Sequence, residues 1–428
     1  MEHGWAMLRL LAMLRAALVL AAAPAAAAPP AYPPMSAEEA ERIYLERFRA
    51  QMAGSGETAA SYDPLEAVPG ARRPARLPVA PPQAKGLDPG ALAEAARVAE
   101  AARSSAFLVW RDGALVAERY FGGATAETPL VAKSLAKPLT AIAVGRAIAL
   151  GRIRSLDQPV ADFLPEWRGT PKAEMRVRHL LDMRSGLLAQ GFSTDPSNIW
   201  SRAYLSPVHE RVILEEYPLT DPPGSVYEYA NVTSELVALV IERATGMRYA
   251  RFLSEEVLKP AGLAGGQVWV NRPGGLAHSG CCILLPARTF LGLARLLMDD
   301  GVANGRRLLP EGYVGEMRRA TPQNPHYGLG VWVAGPYVER RGFANPNRPA
   351  PKVLHSEPYL AADTFLFDGN ANQVVFIVPS ARLIVLRMGE SPPKSPEWDN
   401  AAFLNRILRG LAPGAATLVP QPREAAGG

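Results

Sequence analysis

Residues 134–150 restrict the possible folds of this chain more than any other stretch. Ser134-Leu135-Ala136-Lys137-Pro138 leads into Leu139-Thr140-Ala141-Ile142-Ala143-Val144-Gly145, and the apolar positions nearly encircle a helix instead of forming one stripe. Such a helix must be wrapped on all sides, so the rest of the chain has to be built around it. If the helix starts at or just before Ser134, that hydroxyl sits where unpaired N–H groups and the macrodipole favour developing negative charge. Lys137 lies three residues on, on the same face and within reach of the hydroxyl. An amine buried among apolar neighbours can lose its proton and serve the serine as a base.

The same spacing occurs at Ser391-Pro392-Pro393-Lys394, but two prolines and no following apolar run argue against a reactive helix start there. Ser134 differs in being preceded by a strand pattern and followed by a long helical one.

The 428 residues, 48% of them hydrophobic, are ample for a core. At the N-terminus, Arg9 and Arg15 bracket the start of an apolar segment that runs through Leu18-Val19-Leu20 into an alanine-rich stretch ending near Ala28. This reads as a secretory signal with an A-x-A-like cleavage site, implying a secreted or periplasmic protein with no stable membrane span after cleavage. The remaining chain carries a small positive charge with no block of one sign, which gives nucleic-acid binding no support. The only cysteines, Cys281 and Cys282, are adjacent. Their Cα spacing of about 3.8 Å falls below the usual disulfide range, so no disulfide framework is expected.

Taken in order, Ser36 and Glu39 form a capping-box pattern opening an amphipathic helix through Phe48. Residues 54–86 are crowded with Pro, Gly and Ala, as in a linker or an arm wrapping the domain. Residues 29–87 thus read as an N-terminal helix and linker, and 88–412 as the main domain. Asp88-Pro89 caps a helix to Arg103, and two apolar runs flanking Arg111-Asp112-Gly113 read as a hairpin. A short helix over 178–187, a loop-rich span over 188–226 and a helix over 234–245 stopped by Gly246 follow. Next come a helix over 286–299 and a turn at Asn304-Gly305. Strand patterns occupy 327–338, 362–367, 373–378 and 383–388, a helix covers 400–411, and 413–428 reads as a disordered tail. This order gives an α+β fold, a mostly antiparallel sheet flanked by helices with a helical subdomain.

A second constellation lies at Tyr229-Ala230-Asn231, just before the 234–245 helix. A tyrosine and an asparagine two apart in a loop can point into one cleft, the phenol relaying a proton and the amide holding a carbonyl. By itself the segment reads more readily as a turn with Asn231 as N-cap, and the Ser134 motif in the same chain reverses that balance. The six histidines, His3, His179, His209, His278, His326 and His355, show no metal-ligand spacing such as H-x-x-x-H, so no metal or cofactor is called for. His179 and His278 read as structural. His355 could line the cleft, and a Ser-His-Asp triad is the mechanistic runner-up, without a G-x-S-x-G elbow to support it. Asp182 and Arg184 read as a structural pair on a helix surface.

In order, Ser134-x-x-Lys137, Tyr229-x-Asn231 and the C-terminal strands resemble the serine β-lactamase and DD-peptidase-related hydrolases. The resemblance is to the class C-like branch, which includes esterases and 6-aminohexanoate-dimer hydrolases. It spans roughly residues 100–410, supported by Asp157-Gln158-Pro159-Val160, His179-Leu180-Leu181-Asp182-Met183 and Asp300-Gly301-Val302-Ala303-Asn304-Gly305. It implies a β-lactamase/transpeptidase-like fold and a Ser134 acyl-enzyme, with Lys137 and Tyr229 as general base, Asn231 at the substrate and no cofactor. The family's third motif, Lys/His-Thr/Gly-Gly, is replaced by Asp368-Gly369-Asn370-Ala371-Asn372-Gln373. Resemblance assigns the second oxyanion donor to a main-chain N–H near Asn372-Gln373, which needs no particular side chain. The missing cation makes a β-lactam or D-Ala-D-Ala ligand less expected than a small ester, amide or peptide. The competing reading is a catalytically silent binding protein on the hydrolase fold.

Overall fold

A computed structural model describes residues 28–54, 62–191 and 193–422. The signal-peptide expectation falls on residues 1–27, outside the described residues, as does the end of the tail from 423.

The central sheet has six strands, all antiparallel, in the spatial order Ala114–Tyr120, Ser104–Arg111, Leu383–Gly389, Gln373–Val378, Phe365–Gly369 and Trp332–Val333. Its first two strands are the expected hairpin, closed by Asp112 and Gly113 at φ 40° and 89°, conformations that the Asp-Gly pair tolerates. Period-two alternation decides which core each side chain enters. Ala106, Leu108, Trp110, Val375, Ile377, Ile384 and Leu386 face the core containing the serine helix. Phe107, Val109, Val374, Phe376 and Val385 face the helices Pro89–Ala101 and Asn400–Arg409. Both faces are covered, which is why these strands read as continuous apolar runs.

A second antiparallel sheet, ordered Leu65–Val68, Gly266–Trp269, Ile283–Pro286 and Pro129–Val131, escaped the sequence reading. Its strands are three or four residues long, below what periodicity can register. It is functionally placed, because Val131 leaves it for the turn Lys133–Leu135 and the helix Ala136–Ala149. The 54–86 segment contributes its strand Leu65–Val68, as an arm against the domain does.

Other boundaries moved for identifiable reasons. Ser36 caps the first helix, Ala37–Ala53, its hydroxyl accepting from the Glu39 N–H at 3.1 Å. The loop-rich 188–226 span contains short helices over Ile199–Leu205 and His209–Arg211, the latter continued to Glu216. The expected tail is pinned as far as Pro422. Gln421 is buried, its amide pairing with the Tyr359 N–H and the Ala334 carbonyl at 2.9 and 2.8 Å. Asp182, expected on a helix surface, is only 2% exposed and pairs with Arg184 at 2.7 Å. Cys281 and Cys282 are joined in a disulfide, against the expectation from their adjacency, with Cα atoms 3.7 Å apart. A bridge between neighbours closes no chain loop, so it gives little of the entropy gain of a long-range staple. Among the described residues no helix is long and apolar enough to cross a membrane.

Candidate active site

Ser134 lies in the 3₁₀ turn Lys133–Leu135 that feeds directly into the buried helix Ala136–Ala149. Lys133 is held at φ 50°, a left-handed conformation that costs a β-carbon about 1 kcal/mol and here aims the turn. Lys137 is 2% exposed, and its Nζ lies 3.1 Å from Ser134 Oγ, 2.9 Å from Asn231 Oδ1 and 2.8 Å from the Gly280 carbonyl oxygen. Those three partners differ in one decisive respect. A side-chain amide oxygen and a carbonyl oxygen only accept, whereas a hydroxyl can also donate. A neutral amine therefore spends its two N–H groups on Asn231 and Gly280, and its lone pair is left facing Ser134. Burial drives the Lys137 ammonium down to about 7, opposed in part by the field of Glu235.

Asn231 is not an N-cap. The helix runs Asn231–Thr245 with Ala230 as the cap residue, freeing the Asn231 side chain for Lys137. The Gln190 side chain accepts from the Asn231 backbone N–H at 3.0 Å. Gly280 passes so close to this helix that a β-carbon would sit 2.6 Å from that of Ser234, so only glycine brings its carbonyl to Lys137. Tyr229 lies against Ser134, which hydrogen-bonds its phenol, and Lys137 Nζ is 4.6 Å from the Tyr229 ring centroid. Burial raises the Tyr229 phenol far above its ordinary value, so it works as a protonated hydroxyl.

Opposite the serine lies the turn joining the strands Phe365–Gly369 and Gln373–Val378, in which Gly369 pairs with Gln373. A β-carbon on Gly369 would fall 2.8 Å from the Leu135 side chain and 3.2 Å from the Ser134 nitrogen. Main chain thus faces main chain across the nucleophile, and the residues lining the cavity here are Asp368 to Asn372. Gln373 does not line the cavity. It is buried, and its side-chain amide donates to the Val131 carbonyl at 3.0 Å, clamping the strand that delivers Ser134. Ala371 and Asn372 hold φ of 64° and 54° under the Arg387 guanidinium, which donates to both carbonyls at 2.6 and 3.2 Å.

Ser134, Tyr229, Asn231 and Asn372 line one cavity of about 620 Å³. Most of its walls come from segments with no readable sequence pattern, Trp332 in the 327–338 strand pattern excepted. Tyr62, Trp200, Tyr204, Trp332, Phe343 and Trp398 make it largely aromatic, with Lys133, Arg341, Lys352 and Lys394 as cations. Arg341 is not free: it pairs with Asp368 at 2.8 Å and lies 4.7 Å above the Trp332 ring centroid. No spacing rule could have found these residues, because they arrive from six separate segments. His355 is buried, its Nδ1 3.1 Å from the Val353 carbonyl, and does not line the cavity. The triad alternative therefore lacks its histidine. His179 is structural, accepting from the Arg176 N–H at 3.2 Å.

With this geometry in place, similarity to known proteins defines the class. The Beta-lactamase family model matches residues 91–408, and the chain belongs to that family. More particularly, it is 27% identical over 228 residues to the 6-aminohexanoate-dimer hydrolase of Paenarthrobacter ureafaciens, covering 49% of this chain and 56% of that one. It is 30% identical over 142 residues to penicillin-binding protein 4* of Bacillus subtilis, covering 32% of this chain and 30% of the other. The matches thus span about half or less of those relatives' length. Among solved structures, a Bacillus anthracis protein described as a 6-aminohexanoate-dimer hydrolase superposes with a TM-score of 0.64 at 20% identity, covering 82% of this chain and 91% of that one. A class C β-lactamase of Rhodobacter sphaeroides superposes at 0.53 and 18% identity, covering 75% and 99%. These likenesses establish the β-lactamase/transpeptidase-like α+β fold.

Proposed function

We propose that this protein is a secreted or periplasmic serine hydrolase that cleaves a small ester or amide through an acyl-enzyme on Ser134. The observation that carries the reading is the buried Lys137 amine, 3.1 Å from Ser134 Oγ, with its other partners able only to accept. The neutral amine takes the Ser134 proton as Oγ attacks the substrate carbonyl. The oxyanion meets the main-chain N–H of Ser134 and a second from the turn after Gly369, donors that need no reorganisation as charge develops. The phenol of Tyr229, protonated and beside Ser134, relays to the leaving group the proton that Lys137 took, so the phenol is refilled and the amine is neutral again. Water then attacks the acyl carbon, with the Lys137 amine as base, and restores the serine. The Asn231 amide holds Lys137 and presents its remaining hydrogen-bonding capacity to the substrate. The aromatic walls suit an apolar acyl or amine portion. Family membership favours a hydrolase, and the replaced third motif favours esters or short oligoamides over β-lactams.

Ser134→Ala is expected to lower turnover of a p-nitrophenyl ester by at least about a thousandfold, with the folded state intact. A fluorophosphonate should label the wild type at Ser134. Full activity in the variant refutes the assignment, and silence of the wild type toward esters, amides, β-lactams and the probe supports a binding protein instead.

A further inference from the structure

Three chemistry-bearing side chains that do not line the cavity meet near the catalytic lysine, and of them only Glu235 bears on the reaction above, through its field on Lys137. They are His209 from the helix His209–Arg211, Glu235 from the helix that begins at Asn231, and His278 from the loop leading to Gly280. His209 and His278 are fully buried and Glu235 is 1% exposed. One ligand atom from each lies within 4.8 Å of the others, and His278 Nδ1 is 3.7 Å from a Glu235 carboxylate oxygen. The imidazole rings are 4.3 Å apart between centroids, and the Trp269 indole stacks on His278 at 3.7 Å. Both nitrogens of both histidines lack a hydrogen-bond partner, and the carboxyl meets only the backbone N–H groups of Ser279 and Gly280.

Buried polar atoms are almost always paired, and two imidazoles with no partner meeting beside a buried carboxyl require an explanation. One shared proton would serve a single pair of them. A cation at the centre would take one lone pair from each residue at once.

We propose that His209, Glu235 and His278 bind one divalent cation of the zinc class. Two imidazole nitrogens and one carboxylate oxygen form a borderline donor set that suits Zn²⁺ or Co²⁺ better than Ca²⁺ or Mg²⁺, which prefer oxygen. A tetrahedral site places ligand atoms roughly 3.4 Å apart, so the side chains close by less than about 1 Å each. With no exposed surface on either histidine, the site is structural and fills as the chain folds. It ties together the three segments that carry His209, Asn231 and Gly280, and the last two hold Lys137. The sequence spacing of His209 and His278 conceals the site, since 68 residues separate them.

The test uses the tag-free full chain, expressed with zinc or with cobalt and measured by elemental mass spectrometry. About one metal per chain is expected, together with the visible absorption of tetrahedral Co²⁺ in the cobalt protein. His209→Asn and His278→Asn should each lose the metal at least tenfold and unfold at lower temperature, whereas Ser134→Ala should keep it, separating this proposal from the hydrolase reading. If the histidine variants fail to fold, Glu235→Gln and the cobalt spectrum of the wild type decide. A wild type carrying less than a tenth of an equivalent, an octahedral cobalt spectrum, or metal that persists in the ligand variants overturns the proposal.

Discussion

Two fully buried basic side chains support the site, one on the nucleophile and one on the turn that faces it, and the contrast between them explains how the site is built. Lys137 and Arg387 are 2% and 0% exposed, and among the described residues neither has a carboxylate within ion-pair distance. Each is held by neutral oxygens. Arg387 donates to Ser104 Oγ at 2.8 Å, to the carbonyls of Ala371, Asn372 and Glu390 at 2.6, 3.2 and 2.6 Å, and to that of Ala102. Burial lowers the Arg387 guanidinium only to about 10, and it stays charged wherever Lys137 titrates. The same desolvation thus makes a base of one residue and a permanent strut of the other. The strut holds the strained turn at Ala371 and Asn372 that faces Ser134.

The strongest way to break this comparison is to remove the lysine's ability to lose a proton. Lys137→Arg keeps the charge but supplies no base, and kcat/KM is expected to fall about a thousandfold or more. Activity within tenfold of the wild type would mean another group deprotonates Ser134. The pH profile sharpens the same point. Because the neutral amine is the active form, kcat/KM of the wild type should rise about tenfold per pH unit below about 7 and level off above it. A profile flat from pH 5 to 9 would contradict a lysine base.

Arg387→Met tests the strut. Several buried carbonyls would lose their donor, so unfolding by urea should show a loss of about 3–5 kcal/mol, without a shift in the pH midpoint of the remaining activity. Gln373→Leu should do least, costing about 1 kcal/mol for the lost bond to the Val131 carbonyl, with kcat changed only a few-fold. A hundredfold loss of kcat there would show that the Gln373 side chain does more than hold the Val131 carbonyl.

How legible the site was depended on how its residues are joined. Ser134 with Lys137, and Tyr229 with Asn231, are local pairs whose geometry a single helix turn or loop fixes. Their meeting across 92 residues, from Lys137 to Tyr229, rested on resemblance. Asn372 lines the cavity from the turn, while the side chain of Gln373, the first residue of the following strand, reaches away to the Val131 carbonyl. The long strands were legible through their apolar runs. The short sheet that positions Ser134 was not, since a three-residue strand has no period to detect.

By itself the sequence determined the all-round apolar helix, the serine and lysine one turn apart on it, and the hairpin and strand runs of an α+β domain. These follow from the periodicity and stereochemistry of neighbouring residues. Only the tertiary structure decided that the Lys137 lone pair faces Ser134, that Arg341 is neutralised by Asp368, and that His209, Glu235 and His278 converge. Burial and partnership are set by segments distant in the chain, and desolvation, which turns an ordinary lysine into a base, exists only once those segments have packed.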